Sequence, residues 1–174
     1  VAPVLETERL TLRELCVDDA PFMLELLNDP DFLKHIGDRN VRTLDDARRH
    51  IDEKYLDHYA RHGYGIYVVI RKRDGASIGM CGLVNRDTLD DVDIGYAMLP
   101  AYRRRGYMIE AARATLDFAH DVLGLDRVVA LTWPDNDASA SLLDKLGMIY
   151  ESTIRLAEGE EESRLFARER DARG

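Results

Sequence analysis

The stretch Val92-Asp93-Ile94-Gly95-Tyr96-Ala97-Met98-Leu99-Pro100-Ala101-Tyr102-Arg103-Arg104-Arg105-Gly106-Tyr107-Met108-Ile109-Glu110-Ala111-Ala112 reads as strand, basic loop and helix in succession. β-branched and aromatic residues run up to the stop at Pro100, which predicts a strand. Ile109, Ala112, Leu116 and Ala119 recur at helical spacing, and Gly124 ends the pattern. A loop that opens a helix presents unpaired backbone N–H groups at one point, and the helix dipole adds positive potential there. This is a site for a phosphate or pyrophosphate. Gly106 lets the backbone approach such a ligand, and Arg103, Arg104 and Arg105 raise the local potential. The residues alone leave a solvated loop equally open. They argue against a nucleotide P-loop, because no G-x-x-x-x-G-K-[ST] is present. Only one of the three glycines of a dinucleotide fingerprint is there.

Working outward, the segments on either side predict a mixed α/β domain. Arg9 to Leu15 alternates as a first strand, and Asp18 or Asp19 is placed to cap a helix reaching Leu27. Phe32 to Ile36 is ambiguous. Thr43 and Asp46 form a capping-box pattern, and the helix they open runs to about Arg61 before Gly63. Its apolar side carries Leu44, Ala47, Ile51, Tyr55 and Tyr59. Tyr64 to Arg71 and Ser77 to Val84 are strands around the Arg73-Asp74-Gly75 turn. After the central helix come a short strand from Arg127 to Thr132, a loop in which Asp137 is a candidate cap, and a helix from Ala138 to Leu146. Met148 to Leu156 and Glu162 to Ala167 form a hairpin around Gly159, and residues 168–174 read as a solvated tail. No repeat, linker or low-complexity segment divides residues 1–174, so one domain is expected.

Composition narrows the partners. With 45% hydrophobic and 33% charged residues the chain is globular. Its net charge of -9 argues against nucleic acid and favours cationic partners such as amines. No apolar run is long enough for a membrane span. Cys16 and Cys81 form no C-x-x-C pair and no zinc pattern, so free thiols in a reducing cytoplasm are expected, with a disulfide the alternative left open, and no metal.

Arg103-x-x-Gly106-x-Met108, after a strand ending in Pro100, resembles motif A of the GNAT superfamily of N-acetyltransferases, usually written [RQ]-x-x-G-x-[GA]. Met108 departs from the small residue of that pattern. The opening Leu5-Glu6-Thr7-Glu8-Arg9-Leu10-Thr11-Leu12-Arg13 resembles the branch that includes the Rim-type ribosomal-protein N-terminal acetyltransferases. Ile94-Gly95-Tyr96, Gly106-Tyr107, Glu110-Ala111 and Asn136-x-x-Ser139 resemble later landmarks of the same branch.

The resemblance implies a single-domain GNAT-like fold: a mixed, mostly antiparallel sheet with splayed central strands flanked by helices. It implies acetyl-CoA as co-substrate. The backbone of Ala97, Met98 and Leu99 would meet the pantetheine arm, and Arg103, Arg104, Arg105, Gly106, Tyr107, Met108 and Ile109 the pyrophosphate. Asn136 would contact pantetheine, and Ser139 would face the cofactor sulfur as acid or hydrogen-bond donor. Two family residues have no counterpart: Leu143 stands where many members carry a tyrosine acid, and Leu131 where some carry a glutamate base.

Acyl transfer to an amine needs removal of the amine proton. Asp93, on one strand face with Asp91, Gly95 and Ala97, is the best remaining base, directly or through water; binding an ammonium group is the other role open to it. His35 lies where the family lines its acceptor site. The implied function is direct transfer of acetyl to a primary amine, on a small molecule or a protein N-terminus. A non-catalytic acyl-CoA-binding module is the alternative. The exposed edge of the last hairpin allows a homodimer.

Overall fold

The computed structural model describes residues 1–171. Its strands are β1 (Pro3–Glu6), β2 (Leu10–Arg13), β3 (Ile66–Arg71), β4 (Ser77–Val84), β5 (Val92–Met98), β6 (Arg127–Thr132), β7 (Ile149–Ile154) and β8 (Ser163–Glu169). The α-helices are α1 (Ala20–Leu27), α2 (Pro30–His35), α3 (Leu44–His50), α4 (Asp57–His62), α5 (Tyr107–Asp121) and α6 (Asp137–Lys145). One sheet holds all eight strands in the order β1-β2-β3-β4-β5-β6-β8-β7. Every pairing is antiparallel except β5 with β6.

Period-two alternation gives β5 two apolar faces. Ile94 and Met98 join Leu116, Ala112 and Ala119 of α5 and Leu143 of α6 in one core. Leu99 and the half-buried Ala97 join Met23 and Leu26 of α1, Phe32 of α2, and Ala47 and Ile51 in the other. The sheet therefore runs between two helical layers, and β5 contributes to both cores.

The capping box at Thr43 is formed: its hydroxyl accepts from Asp46 N–H at 3.0 Å, and the Asp46 carboxylate accepts from Thr43 N–H at 3.1 Å. The helix it opens is one rod in three parts, α3, a π-helical stretch at Ile51–Leu56, and α4, closed by Gly63 at φ 77°. Leu44 departs from the expected apolar side, being 41% exposed in the first turn of α3.

Other boundaries moved for physical reasons. β1 is an edge strand too short to announce itself by alternation. Phe32 to Ile36 is resolved as α2, capped by Asp29, whose carboxylate accepts from Phe32 N–H at 3.3 Å. Asp19 precedes α1 but gives no side-chain cap; its carboxylate takes the Arg13 guanidinium at 2.8 Å and the Cys16 amide at 2.9 Å. Arg168 and Glu169 belong to β8 instead of a tail, paired with Val128 and Arg127 of β6; residues 172–174 lie outside the described part of the chain.

Candidate active site

Two residues shape the basic loop. Arg104 has φ 62° and Gly106 φ 79°, both left-handed, with Arg105 between them. Left-handed residues interleaved in a turn aim successive amides into one concavity. The first helical bond of α5 is Glu110 N–H to Gly106 C=O at 3.2 Å. Among the described residues, the amides of Arg104, Arg105, Gly106, Tyr107, Met108 and Ile109 donate to no protein acceptor. Six free donors at the positive end of a helix of 15 residues suit the charge and shape of a pyrophosphate. The side chains of Arg104 and Arg105 are exposed beside it.

The loop is held from two directions. Arg9 donates through Nη1 to Arg105 C=O at 3.0 Å and through Nε to Glu110 at 2.9 Å, and its guanidinium lies 4.4 Å from the Tyr107 ring centroid. Thr7 donates its hydroxyl to the other Glu110 oxygen at 2.6 Å. Burial works to raise the Glu110 carboxyl, but the Thr7 and Arg9 hydrogen bonds outweigh it and leave its pKa below the usual value. The opening Glu6-Thr7-Glu8-Arg9 is thus a brace on the loop, which gives that sequence landmark a physical reason.

Arg103 is the second brace. Its guanidinium donates to Met98 C=O at 3.1 and 2.9 Å, to Asp29 at 2.9 Å and to Asp31. Its amide donates to Pro100 C=O at 3.2 Å. Arg103 therefore supports the cradle by tying α2 to the end of β5, and neither its side chain nor its amide is free for a phosphate.

Beside the loop the sheet opens. β5 and β6 pair only at Val92–Val128 and Asp93–Val129, then diverge. Leu99 N–H donates to Ile78 C=O at 2.9 Å, so antiparallel alternation turns the backbone of Leu99 and Ala97 toward β4. The backbone of Tyr96 and Met98 turns the other way, into the opening. Met98 C=O is taken by Arg103, which leaves Met98 N–H and the N–H and C=O of Tyr96 as the groups facing an extended ligand. The expected trio of Ala97, Met98 and Leu99 is corrected to this extent: two of its three amides are spent within the sheet. On the β6 side, the Thr132 hydroxyl is buried and, among the described residues, has no partner at the open end of its strand. These free groups fit a polar, amide-bearing chain lying between the strands.

Across the opening, Tyr96 Oη and Ser139 Oγ lie 2.6 Å apart. Burial pushes the Tyr96 phenol up to about 12, against the Ser139 hydrogen bond. Ser139 is placed by its helix: its N–H donates to Asn136 Oδ1 at 3.2 Å, making Asn136 the cap in place of the expected Asp137. The Asn136 oxygen is spent there, which leaves its NH2 for a ligand. Tyr96 was missed as a functional residue because its sequence position reads as ordinary strand core. Leu143, where the family's tyrosine would stand, is fully buried apolar core.

The remaining candidates separate. Asp93 is 2% exposed and faces Arg86, with contacts of 2.9 and 3.4 Å. Burial raises its pKa against the pull of Arg86. Both carboxylate oxygens of Asp93 face the Arg86 guanidinium in this ion pair. Asp91 is tied to Arg127 at 3.0 Å. Cys81 is buried against Thr115 at 3.4 Å, its thiol pushed up to about 12 by burial, which disqualifies it as an acyl carrier. His35 is in α2, its Nδ1 buried and without a partner among the described residues.

Residues 9–149 match the family model described as an acetyltransferase (GNAT) domain. A relative is the uncharacterized protein YkkB of Bacillus subtilis, 32% identical over 158 residues, covering 87% of this chain and 88% of its own. An acetyltransferase of the GNAT family from Bacillus anthracis superposes with a TM-score of 0.78 at 25% identity, covering 95% of this chain and 98% of its own. The same fold occurs in the ribosomal-protein-S5-alanine acetyltransferase of Vibrio fischeri, with a TM-score of 0.73 at 21% identity and 97% of each chain covered. With its motif loop, splayed strands and matched length together, this chain belongs to the GNAT family of acetyltransferases.

Proposed function

We propose that the protein uses acetyl-CoA to acetylate a primary amine by direct transfer. One observation carries the reading: the opening between β5 and β6 runs beside the six free amides of residues 104–109. A ligand with a pyrophosphate joined to an extended amide-bearing arm satisfies both features together. Acetyl-CoA is such a ligand, and it supplies an acetyl thioester.

The chain's residues then divide the work. The amides of Arg104 to Ile109 hold the diphosphate, with Arg104 and Arg105 adding positive potential. Met98 N–H, Tyr96 C=O and the Asn136 NH2 hold the arm. Small Ala97 leaves room on its face of the strand. As the C–N bond forms and the C–S bond breaks, the Tyr96–Ser139 hydroxyl pair donates a hydrogen bond or proton to the departing sulfur. The amine proton passes to water in the cleft, because Asp93 is committed to Arg86. Asp93 keeps a positioning role by fixing that guanidinium. At the far edge of the sheet, β7 exposes Ile149 and Tyr150, which supports pairing with a second copy.

The test is thiol release from acetyl-CoA with a panel of primary amines, with the acetylated product identified by mass. Release that depends on an amine and yields the N-acetyl product supports the reading. Acetyl-CoA binding without release for any amine would leave a binding module instead.

A further inference from the structure

The middle of β5 is partly exposed although helices pack on both faces of the sheet. Gly95, Tyr96 and Ala97 are half-buried, between buried Val92–Ile94 on one side and buried Met98 on the other. Period-two alternation divides this opening between the two faces. Tyr96 sends its hydroxyl to Ser139 on the α5–α6 face, where the departing sulfur would be met. Gly95 and Ala97 belong to the opposite face. Among the described residues, a Cβ built on Gly95 would meet Ile66 Cδ1 at 3.4 Å and Val84 Cγ2 at 4.0 Å, and no other atom within 4 Å. These are ordinary contacts, so packing does not demand a glycine, and its missing side chain leaves room beside Ala97.

Two tyrosines of the α3–α4 rod reach the sheet, and their hydroxyls are used differently. Tyr59 donates to Ile66 C=O and accepts from Leu15 N–H at 3.1 Å, so its oxygen is spent within the fold. Tyr55 comes from the π-helical stretch Ile51–Leu56 and packs in the same apolar cluster as Ala97. Its O–H donates to Met80 Sδ at 3.7 Å, and Met80 is the cross-strand partner of Ala97. Such partners share a face and hold their Cβ atoms about 5 Å apart. His50 packs edge-on against the Tyr55 ring, with centroids 5.5 Å apart, and fixes it from the side. A thioether is a weak acceptor, and among the described residues nothing donates to the Tyr55 oxygen. A half-buried phenol with its proton on sulfur and its lone pairs unspent therefore lies next to the exposed floor of the central strand. Burial pushes this phenol up to about 12, so it is neutral near pH 7 and is no base.

We propose that Tyr55 binds the acceptor: its phenolic oxygen accepts one N–H of the incoming amine while its own proton stays on Met80 Sδ, which orients the nitrogen lone pair toward the acetyl group. This rests on the acetyl-transfer reading and adds an acceptor-side residue to it. No proton moves to or from Tyr55; the proton released as the C–N bond forms leaves to water. Asp93 shares this face of β5, but both its oxygens face Arg86, so Tyr55 is the group with free lone pairs.

The experiment compares Tyr55→Phe with the parent protein in the thiol-release assay across the primary-amine panel. Phenylalanine keeps the ring and its contact with His50 and removes only the oxygen. KM for the amine should rise about tenfold, the scale of one neutral hydrogen bond. With that bond made equally before and during transfer, kcat should hold, as should KM for acetyl-CoA and Tm. A merely structural tyrosine would move Tm and leave the amine's KM alone. Met80→Leu, which removes the sulfur at similar volume, should raise the amine's KM by less. The pH profile of kcat/KM should keep its shape in Tyr55→Phe. An unchanged KM for the amine, or a pH limb lost together with the oxygen, would overturn the proposal.

Should no amine in the panel turn over, benzylamine is titrated into the CoA-saturated parent and Tyr55→Phe proteins. Tighter binding to the parent supports the assignment; equal binding, or none, overturns it. Acetyl-CoA affinity is measured separately on both proteins. Its absence in the parent would remove the transfer reading, whereas normal affinity with no difference toward amines removes only this inference.

Discussion

Gly106 and Arg104 adopt the same left-handed backbone, but only Gly106 does so without steric cost. A Cβ added at Gly106 would meet Arg9 Nη2 at 3.3 Å, so a side chain there disturbs both the amide cradle and its brace. Gly106→Val is expected to fold and to lose about 100-fold in acetyl-CoA affinity, on the scale of two or so hydrogen bonds to a charged group; calorimetry on the variant checks this. At the Tyr96–Ser139 pair, Tyr96→Phe and Ser139→Ala should each lower kcat by about tenfold or more, the low end for an acid whose leaving thiolate is already stable. The double variant should be little worse than either single one, because the two hydroxyls act as a unit. Unchanged kcat in both single variants would remove the pair from the chemistry. Ser139 was legible from its spacing to Asn136, but Tyr96 was not. A tyrosine in an apolar strand is ordinary core, and only the 2.6 Å approach of a distant helix gives its hydroxyl a partner.

Among the elements, α5 is placed by contacts far away in sequence. Arg9 and Thr7 hold its first turn through Glu110, and Arg103 ties the preceding loop to α2. Arg9→Met should raise KM for acetyl-CoA by about tenfold and lower unfolding free energy by about 1 kcal/mol, the net worth of a typical hydrogen bond. Because the folded pKa of Glu110 lies below its ordinary 4.5, its stabilising contribution is present above that value and is lost as pH falls through the folded pKa. Acid unfolding of Glu110→Gln followed by circular dichroism should therefore show a flatter pH dependence below about pH 4.5 than the parent protein. Strand β4, the central helix and the Thr43–Asp46 capping box were readable because each depends on residues within a few positions of one another. The braces were not, because each joins residues some 70 to 100 positions apart.

For the molecule as a whole, the decisive feature is the divergence of two neighbouring parallel strands with a helical layer on each face. The mixed α/β class follows from the alternation of strand and helix patterns, but the splay leaves no mark in composition or periodicity. It entered the sequence reading only through the resemblance of the Arg103-x-x-Gly106 loop and its companions to GNAT motifs. A cofactor seated in the opening would join the two sides of the sheet and bind only the folded chain. Saturation at 100 times Kd should then add about 2.7 kcal/mol to stability, read as a rise in Tm. The most direct measurement is calorimetric titration of the purified chain with acetyl-CoA, with NADH titrated alongside. Binding in the micromolar range, at one acetyl-CoA per chain and with no heat from NADH, is the predicted result. No binding of acetyl-CoA, or equal binding of NADH, would contradict the assignment of the β5–α5 loop and the neighbouring splay as a CoA site.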